Sequence, residues 1–125
     1  MTKKKALVID DEMMVRYSLK KMLGALGFDV LEASDGQEGE RLVDAEPDLS
    51  LIVTDIIMPR QEGVETISNI RRKLPDIPLV AISGGGRIRS LDFLDIAQKA
   101  GASAVLPKPF TKDDLKTALV TSGAI

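Results

Sequence analysis

The sequence contains no cysteine, no histidine and no tryptophan. Those absences exclude disulfides, thiolate zinc sites, cysteine nucleophiles and imidazole general bases, and with them most hydrolase mechanisms. Aromatic residues are scarce: one tyrosine and three phenylalanines leave little to stack on bases, and a formal net charge of -2 gives no general attraction to a polyanion. Nucleic acid is therefore not an expected partner. No apolar run approaches the roughly 18 residues that a membrane span needs. Residues Met1 to Lys5 lead straight into a strand-like run instead of a signal-peptide core. A cytoplasmic protein without a membrane partner is expected, with Lys3, Lys4 and Lys5 as a solvated N-terminus and not a nucleic-acid arm.

What is present is ordinary for a folded soluble domain: 125 residues, 44% hydrophobic and 29% charged, enough for one core without staples. No repeat, low-complexity tract or linker interrupts it, so residues 1-125 are expected to be a single domain. Short apolar runs alternate five times with longer segments of helical period. Ala6 to Ile9, Leu51 to Val53, Leu79 to Ile82 and Ala104 to Leu106 are nearly continuous, as strands covered on both faces are. Phe28 to Glu32 alternates apolar and polar residues and suits the rim of a sheet.

Between the strands, Val15, Leu19, Met22, Leu23 and Leu26 form a helical stripe stopped by Gly27. Asp35 with Glu38 starts a second helix that Pro47 ends, and Val64, Ile67, Ile70 and Leu74 mark a third closed by Pro75. Leu91, Leu94, Ala97 and Ala100 give a weaker fourth stripe before Gly101, and Thr111 with Asp114 makes a capping box for a fifth bearing Leu115 and Leu119. Strict βα alternation implies right-handed crossovers and a doubly wound parallel sheet.

In such a sheet the loops leaving the carboxyl ends of the strands converge on one crevice. Asp10, Asp11 and Glu12 follow strand one, Thr54 and Asp55 end strand three, Ser83 ends strand four, and Pro107, Lys108 and Pro109 end strand five. Two carboxylates about 4 Å apart repel by roughly 4 kcal/mol at an effective dielectric of 20. A carboxylate closing a buried strand is costly without a partner, so Asp10, Asp11 and Asp55 read as a site for Mg2+ and phosphate. Glu12 reads more simply as a favourable charge at the start of the first helix. Lys108, held between two prolines, is aimed inward and offsets the carboxylates. Ser83 alone is as readily a turn residue as a phosphate ligand, and Gly84, Gly85 and Gly86 are a flexible loop, since no Lys-Ser or Lys-Thr pair follows them as in a phosphate-cradling loop.

The ordered combination of Asp10-Asp11, Asp55 followed by Met58-Pro59, Ser83, and Lys108-Pro109-Phe110 resembles the receiver domains of bacterial two-component response regulators across essentially the whole chain. The resemblance implies a flavodoxin-like (βα)5 fold of strand order 2-1-3-4-5. It implies Asp55 as phosphoacceptor, Asp11 as a direct ligand and Asp10 as a partly water-mediated ligand of Mg2+ or Mn2+, and the Ile57 carbonyl as a backbone ligand. Lys108 and Ser83 would bind the phosphoryl oxygens, and the Lys108-Pro109 peptide would be cis. The donor would be phosphohistidine on a sensor histidine kinase or a histidine phosphotransfer protein. Such a protein catalyses only its own phosphorylation and dephosphorylation.

Departures from the family pattern accompany the likeness. The aromatic switch of strand five is Val105, which has no ring to swing, and positions 57 and 85 flanking the site are Ile57 and Gly85. With no output domain within residues 1-125, signalling is expected through docking to a protein target or through passing the phosphate on. A receiver-like module that binds a partner without phosphorylation is the alternative. A flavodoxin-like cofactor binder is disfavoured, since Asp10-Asp11-Glu12 would repel its phosphate. An aspartyl-phosphate phosphatase is disfavoured because Ile57 stands where its second acid belongs.

Overall fold

The structure is a computed structural model that describes residues 4–56, 62–83 and 90–125, with the backbone alone at 62–63, 83 and 90–94. Five strands alternate with five helices: β1 (Lys4–Ile9), α1 (Met13–Ala25), β2 (Phe28–Ala33), α2 (Gly36–Ala45), β3 (Leu49–Asp55), α3 (Glu62–Lys73), β4 (Leu79–Ser83), α4 (Ser90–Ala100), β5 (Ala104–Pro107) and α5 (Lys112–Ser122). The strands form one parallel sheet in the order β2-β1-β3-β4-β5. This is the flavodoxin-like arrangement that the resemblance implied.

The continuity of the apolar runs has a direct cause in the layering. Side chains of a strand point alternately to its two faces, and here both faces are covered. Ala6 and Val8 of β1 pack with Leu19 and Leu23 of α1 and Leu115 and Leu119 of α5. Leu7 and Ile9 face the other way, onto Val43 of α2 and Ile67 and Ile70 of α3. β4 repeats the division, with Val80 and Ile82 on the first side and Leu79 and Ala81 on the second. Burying each such Leu, Ile or Val contributes about 1.5 to 3 kcal/mol relative to exposure. Packing is close where Gly39 of α2 meets Ile9: a Cβ on Gly39 would lie 2.9 Å from Ile9 Cγ1, so only glycine lets the helix approach that far.

The local start and stop signals act as read. Asp35 accepts from the Glu38 amide at 2.8 Å, and Thr111 and Asp114 exchange both bonds of a capping box. Gly27 follows α1 with φ +96°, and Gly101 follows α4 with φ +121°, conformations that cost glycine least. The basic N-terminus differs from expectation. β1 begins at Lys4, Lys4 Nζ donates to the Ala124 carbonyl at 3.3 Å, and Lys5 pairs with Glu46 and Asp48, so both lysines belong to the sheet and not to a tail, while Lys4 stays exposed and Lys5 partly so. Parallel pairing with Phe28 and Asp29 of β2 supplies the backbone bonds that draw both residues into the sheet. Lys3 lies outside the described residues.

Candidate functional site

β1 and β3 are neighbours in register, with Ile9 opposite Thr54. The next residue of each chain, Asp10 and Asp55, therefore emerges side by side where the ladder ends. Both are buried, Asp10 completely and Asp55 to 2% exposure. Asp11 and Glu12, which turn into α1, are exposed. One carboxylate oxygen from each of Asp10, Asp11, Glu12 and Asp55 falls within 4.8 Å of all the others.

β5 stands two strands from β3, so only a long side chain leaving its end can reach Asp55. Lys108 does so: its Nζ lies 3.2 Å from Asp55 Oδ2, 3.3 Å from Asp10 Oδ2 and 3.6 Å from Glu12 Oε1. The peptide bond between Lys108 and Pro109 is cis. Asp10 is further oriented by the Glu12 amide, which donates to Oδ1 at 2.8 Å, and by its own amide, which donates to the Ala33 carbonyl at 3.1 Å.

Charge is out of balance in this crevice. Burial pushes the Asp10 carboxyl up to about 6, and the neighbouring Asp55 adds to the rise against the opposing pull of the Glu12 amide and Lys108. Burial by itself would lower the Lys108 ammonium, but Asp55 and Asp10 outweigh it and hold the group above its ordinary value. Lys108 thus pairs with three acids of a cluster of four. The donor set is made of hard oxygens, converging and partly buried, which fits Mg2+ or Mn2+ and does not suit a metal that prefers nitrogen or sulfur.

Ser83 ends β4 opposite Pro107, which places its backbone at the same end of the sheet. Ile57, Met58, Pro59 and Gly84 to Gly86 lie outside the described residues. Val105 is half-buried on β5. Three residues take parts at the site that the sequence did not assign to them. Glu12 occupies the N-cap of α1 without capping it, and its carboxylate turns to Lys108 instead. Thr54 is buried beside Asp55. Arg16 donates to the Asp10 carbonyl at 2.7 Å. Only Glu12 carried a signal in the sequence, its adjacency to two acids.

Fold and crevice together define a doubly wound α/β protein with an acidic cluster at its strand ends that could hold a cation. The family model for the response regulator receiver domain matches residues 6–120. The chain is 35% identical over 119 residues to chemotaxis protein CheY1 of Helicobacter pylori, covering 92% of this chain and 93% of that protein. It is 36% identical over 120 residues to transcriptional regulatory protein PdtaR of Mycobacterium tuberculosis, covering 93% of this chain but only 55% of PdtaR. It therefore spans about half of that relative's length. The crystal structure of a response regulator receiver domain protein from Clostridium thermocellum superposes with a TM-score of 0.84 at 32% identity, covering 95% of this chain and 93% of that one. The chain belongs to the response regulator receiver domain family.

Proposed function

We propose that Asp55 accepts a phosphoryl group from phosphohistidine on a sensor histidine kinase or a histidine phosphotransfer protein. The observation that carries this reading is a buried carboxylate at the end of the central strand with an ammonium 3.2 Å away and further acids converging beside it. Asp10, Asp11 and Asp55, with the Ile57 carbonyl, would hold Mg2+ or Mn2+. Bound there, the cation supplies neutralising charge to the phosphoryl oxygens.

The chain's own residues account for the rest. An Asp55 oxygen attacks phosphorus in line, the phosphorus–nitrogen bond to imidazole breaks, and no proton has to leave the nucleophile. Lys108, already between Asp55 and Asp10, is positioned to exchange one carboxylate contact for a phosphoryl oxygen. The Ser83 position at the end of β4 supports a second contact to the phosphoryl group. We read residues 1–125 as one receiver unit in the cytoplasm that signals by docking to another protein or by handing the phosphate on.

Incubation with Mg2+ and acetyl phosphate tests the reading. The wild type is expected to gain one acid-stable, base-labile phosphate, and Asp55→Asn none; equal labelling of the variant removes Asp55 from the chemistry. Lys108→Ala is expected to keep Mg2+ binding but to lose most of its conformational response to phosphorylation, read by amide shifts.

A further inference from the structure

Arg16 stands at the close of the first turn of α1, where the helix dipole disfavours a cation. Its side chain is nevertheless folded in, with only 16% exposure. What it reaches explains the placement. One terminal nitrogen donates to the Asp10 carbonyl at 2.7 Å, and Nε donates to Glu32 Oε1 on the edge strand β2 at 3.3 Å. The planar guanidinium fixes these two directions relative to each other, so the end of β1 is tied to β2 through a rigid fork.

The tie begins where the strand ladder stops. Pairing of β1 with β2 ends at Ile9 opposite Ala33. One residue later the Asp10 amide still finds the Ala33 carbonyl, and the Asp10 carbonyl is taken by Arg16. That carbonyl shares a rigid plane with the Asp11 amide. Holding it sets the orientation from which both the Asp10 and Asp11 side chains depart.

We propose that Arg16 is a positioning residue that fixes the Asp10–Asp11 peptide and so aims both carboxylates into the cation site. The proposal rests on the reading of those acids as metal ligands. Arg16 itself touches no reacting atom. Its contact with Glu32 is secondary: Glu32 is also approached by Lys20 Nζ at 3.7 Å, and a partly exposed pair of that kind carries little by itself.

The test compares Arg16→Met, which keeps the apolar stem, with Arg16→Lys, Glu32→Gln and Lys20→Met. Mg2+ affinity is measured by calorimetry, and metal-free urea unfolding is measured alongside. Arg16→Met is expected to weaken Mg2+ binding about tenfold, as loss of an outer hydrogen bond to a ligand does. Arg16→Lys, which keeps one donor nitrogen, should recover part of the loss, and Lys20→Met and Glu32→Gln should stay within about twofold of wild type. Phosphorylation by acetyl phosphate at saturating Mg2+ should be near wild type in Arg16→Met, which separates aim from chemistry. In the metal-free protein the Asp11 amide and Asp10 carboxyl resonances should move in Arg16→Met and stay in Lys20→Met.

Wild-type affinity in a folded Arg16→Met protein overturns the proposal, as does an equal loss in Glu32→Gln. If Arg16→Met does not fold, Arg16→Lys carries the same comparison. Failure of the wild type to bind Mg2+ overturns the metal reading alone. The metal-free resonances then decide the role of Arg16: unmoved signals reject it and displaced ones support it.

Discussion

At the amino end of the sheet the Arg71 guanidinium donates to the carbonyls of Gly101, Leu74, Pro75 and Ile77 and to Ser103 Oγ, at 2.7 to 3.2 Å. At the carboxyl end the Lys108 ammonium faces Asp10, Asp55 and Glu12. Both cations are multiply engaged, yet the two ends differ in what the cation relieves. Arg71 donates to neutral dipoles of two loops, and Asp76, the acid that acts on it, is exposed to water. Lys108 sits among acids that repel one another whether or not it is there. The first end is arranged for stability, and the second stores an electrostatic imbalance that a divalent cation or a phosphoryl group can act on.

The largest effect on folding is therefore expected at the amino end. Arg71→Met strips the donors from carbonyls of the α3–β4 and α4–β5 connections. Bonds to a charged donor contribute about 1.5 to 3 kcal/mol each, but these carbonyls lie near enough to water to recover part of that, so a loss of about 2 to 3 kcal/mol is expected, or about 10 °C in Tm. Gly101→Ala should act in the same direction, because a Cβ there meets Arg71 Cγ at 2.9 Å on a backbone with φ +121°. Thermal unfolding reads both. Mg2+ affinity in Arg71→Met should be unchanged, and a fall in it would show that the two ends are coupled.

Asp10→Asn is expected to do the reverse. The Asp10 carboxyl is raised by burial from 3.8 to about 6, so its folded form holds a proton more tightly than the unfolded chain does. Stability linked to this group is full below pH 4 or so and is lost as pH rises toward about 6. Above that window the metal-free wild type carries a buried negative charge that asparagine does not. In metal-free urea unfolding the variant should match wild type near pH 4 and be more stable by about 1 to 2 kcal/mol at pH 7. Mg2+ at a hundred times its Kd should return about 3 kcal/mol to the wild type and little to the variant. A variant less stable than wild type at pH 7 without metal would mean that Lys108 and the Glu12 amide outweigh burial.

Much of this contrast was legible in the residue order. The paired apolar runs marked strands covered on both faces, and the interruptions at Asp29 and Glu32 marked β2 as an edge, which it is. Asp10, Asp11, Asp55 and Lys108 were legible as a group because strand ends of a doubly wound sheet share one crevice. Arg71 was not. All its partners but Ser103 Oγ are backbone carbonyls, which every residue has, so no side-chain pattern announces them. Arg16 was hidden for the same reason, and Glu12 because an acid at a helix start already has a sufficient local explanation. Lys4 and Lys5 looked like a tail because strand pairing, and not their own chemistry, draws them into β1.

Two lysines give the finest version of the comparison. Lys5, near the start of β1, lies 3.1 Å from Glu46 and 3.4 Å from Asp48, distances much like those around Lys108. Hydrogen bonds to Glu46 and Asp48 raise the Lys5 ammonium above its ordinary value, yet its side chain is 34% exposed against 16% for Lys108. Water and salt screen the Lys5 cluster, and its acids are solvated without it. Lys5→Met is thus expected to leave the urea midpoint unchanged at about 0.5 M NaCl and to lower it slightly at low salt. Lys108→Met leaves Asp10 and Asp55 buried against each other, so its loss should persist at both salt concentrations and shrink as pH falls toward 5, where Asp10 takes up a proton. Equal salt sensitivity in the two variants would mean that the carboxyl end is as well hydrated as the amino end, and that its imbalance is relieved by water before any cation arrives.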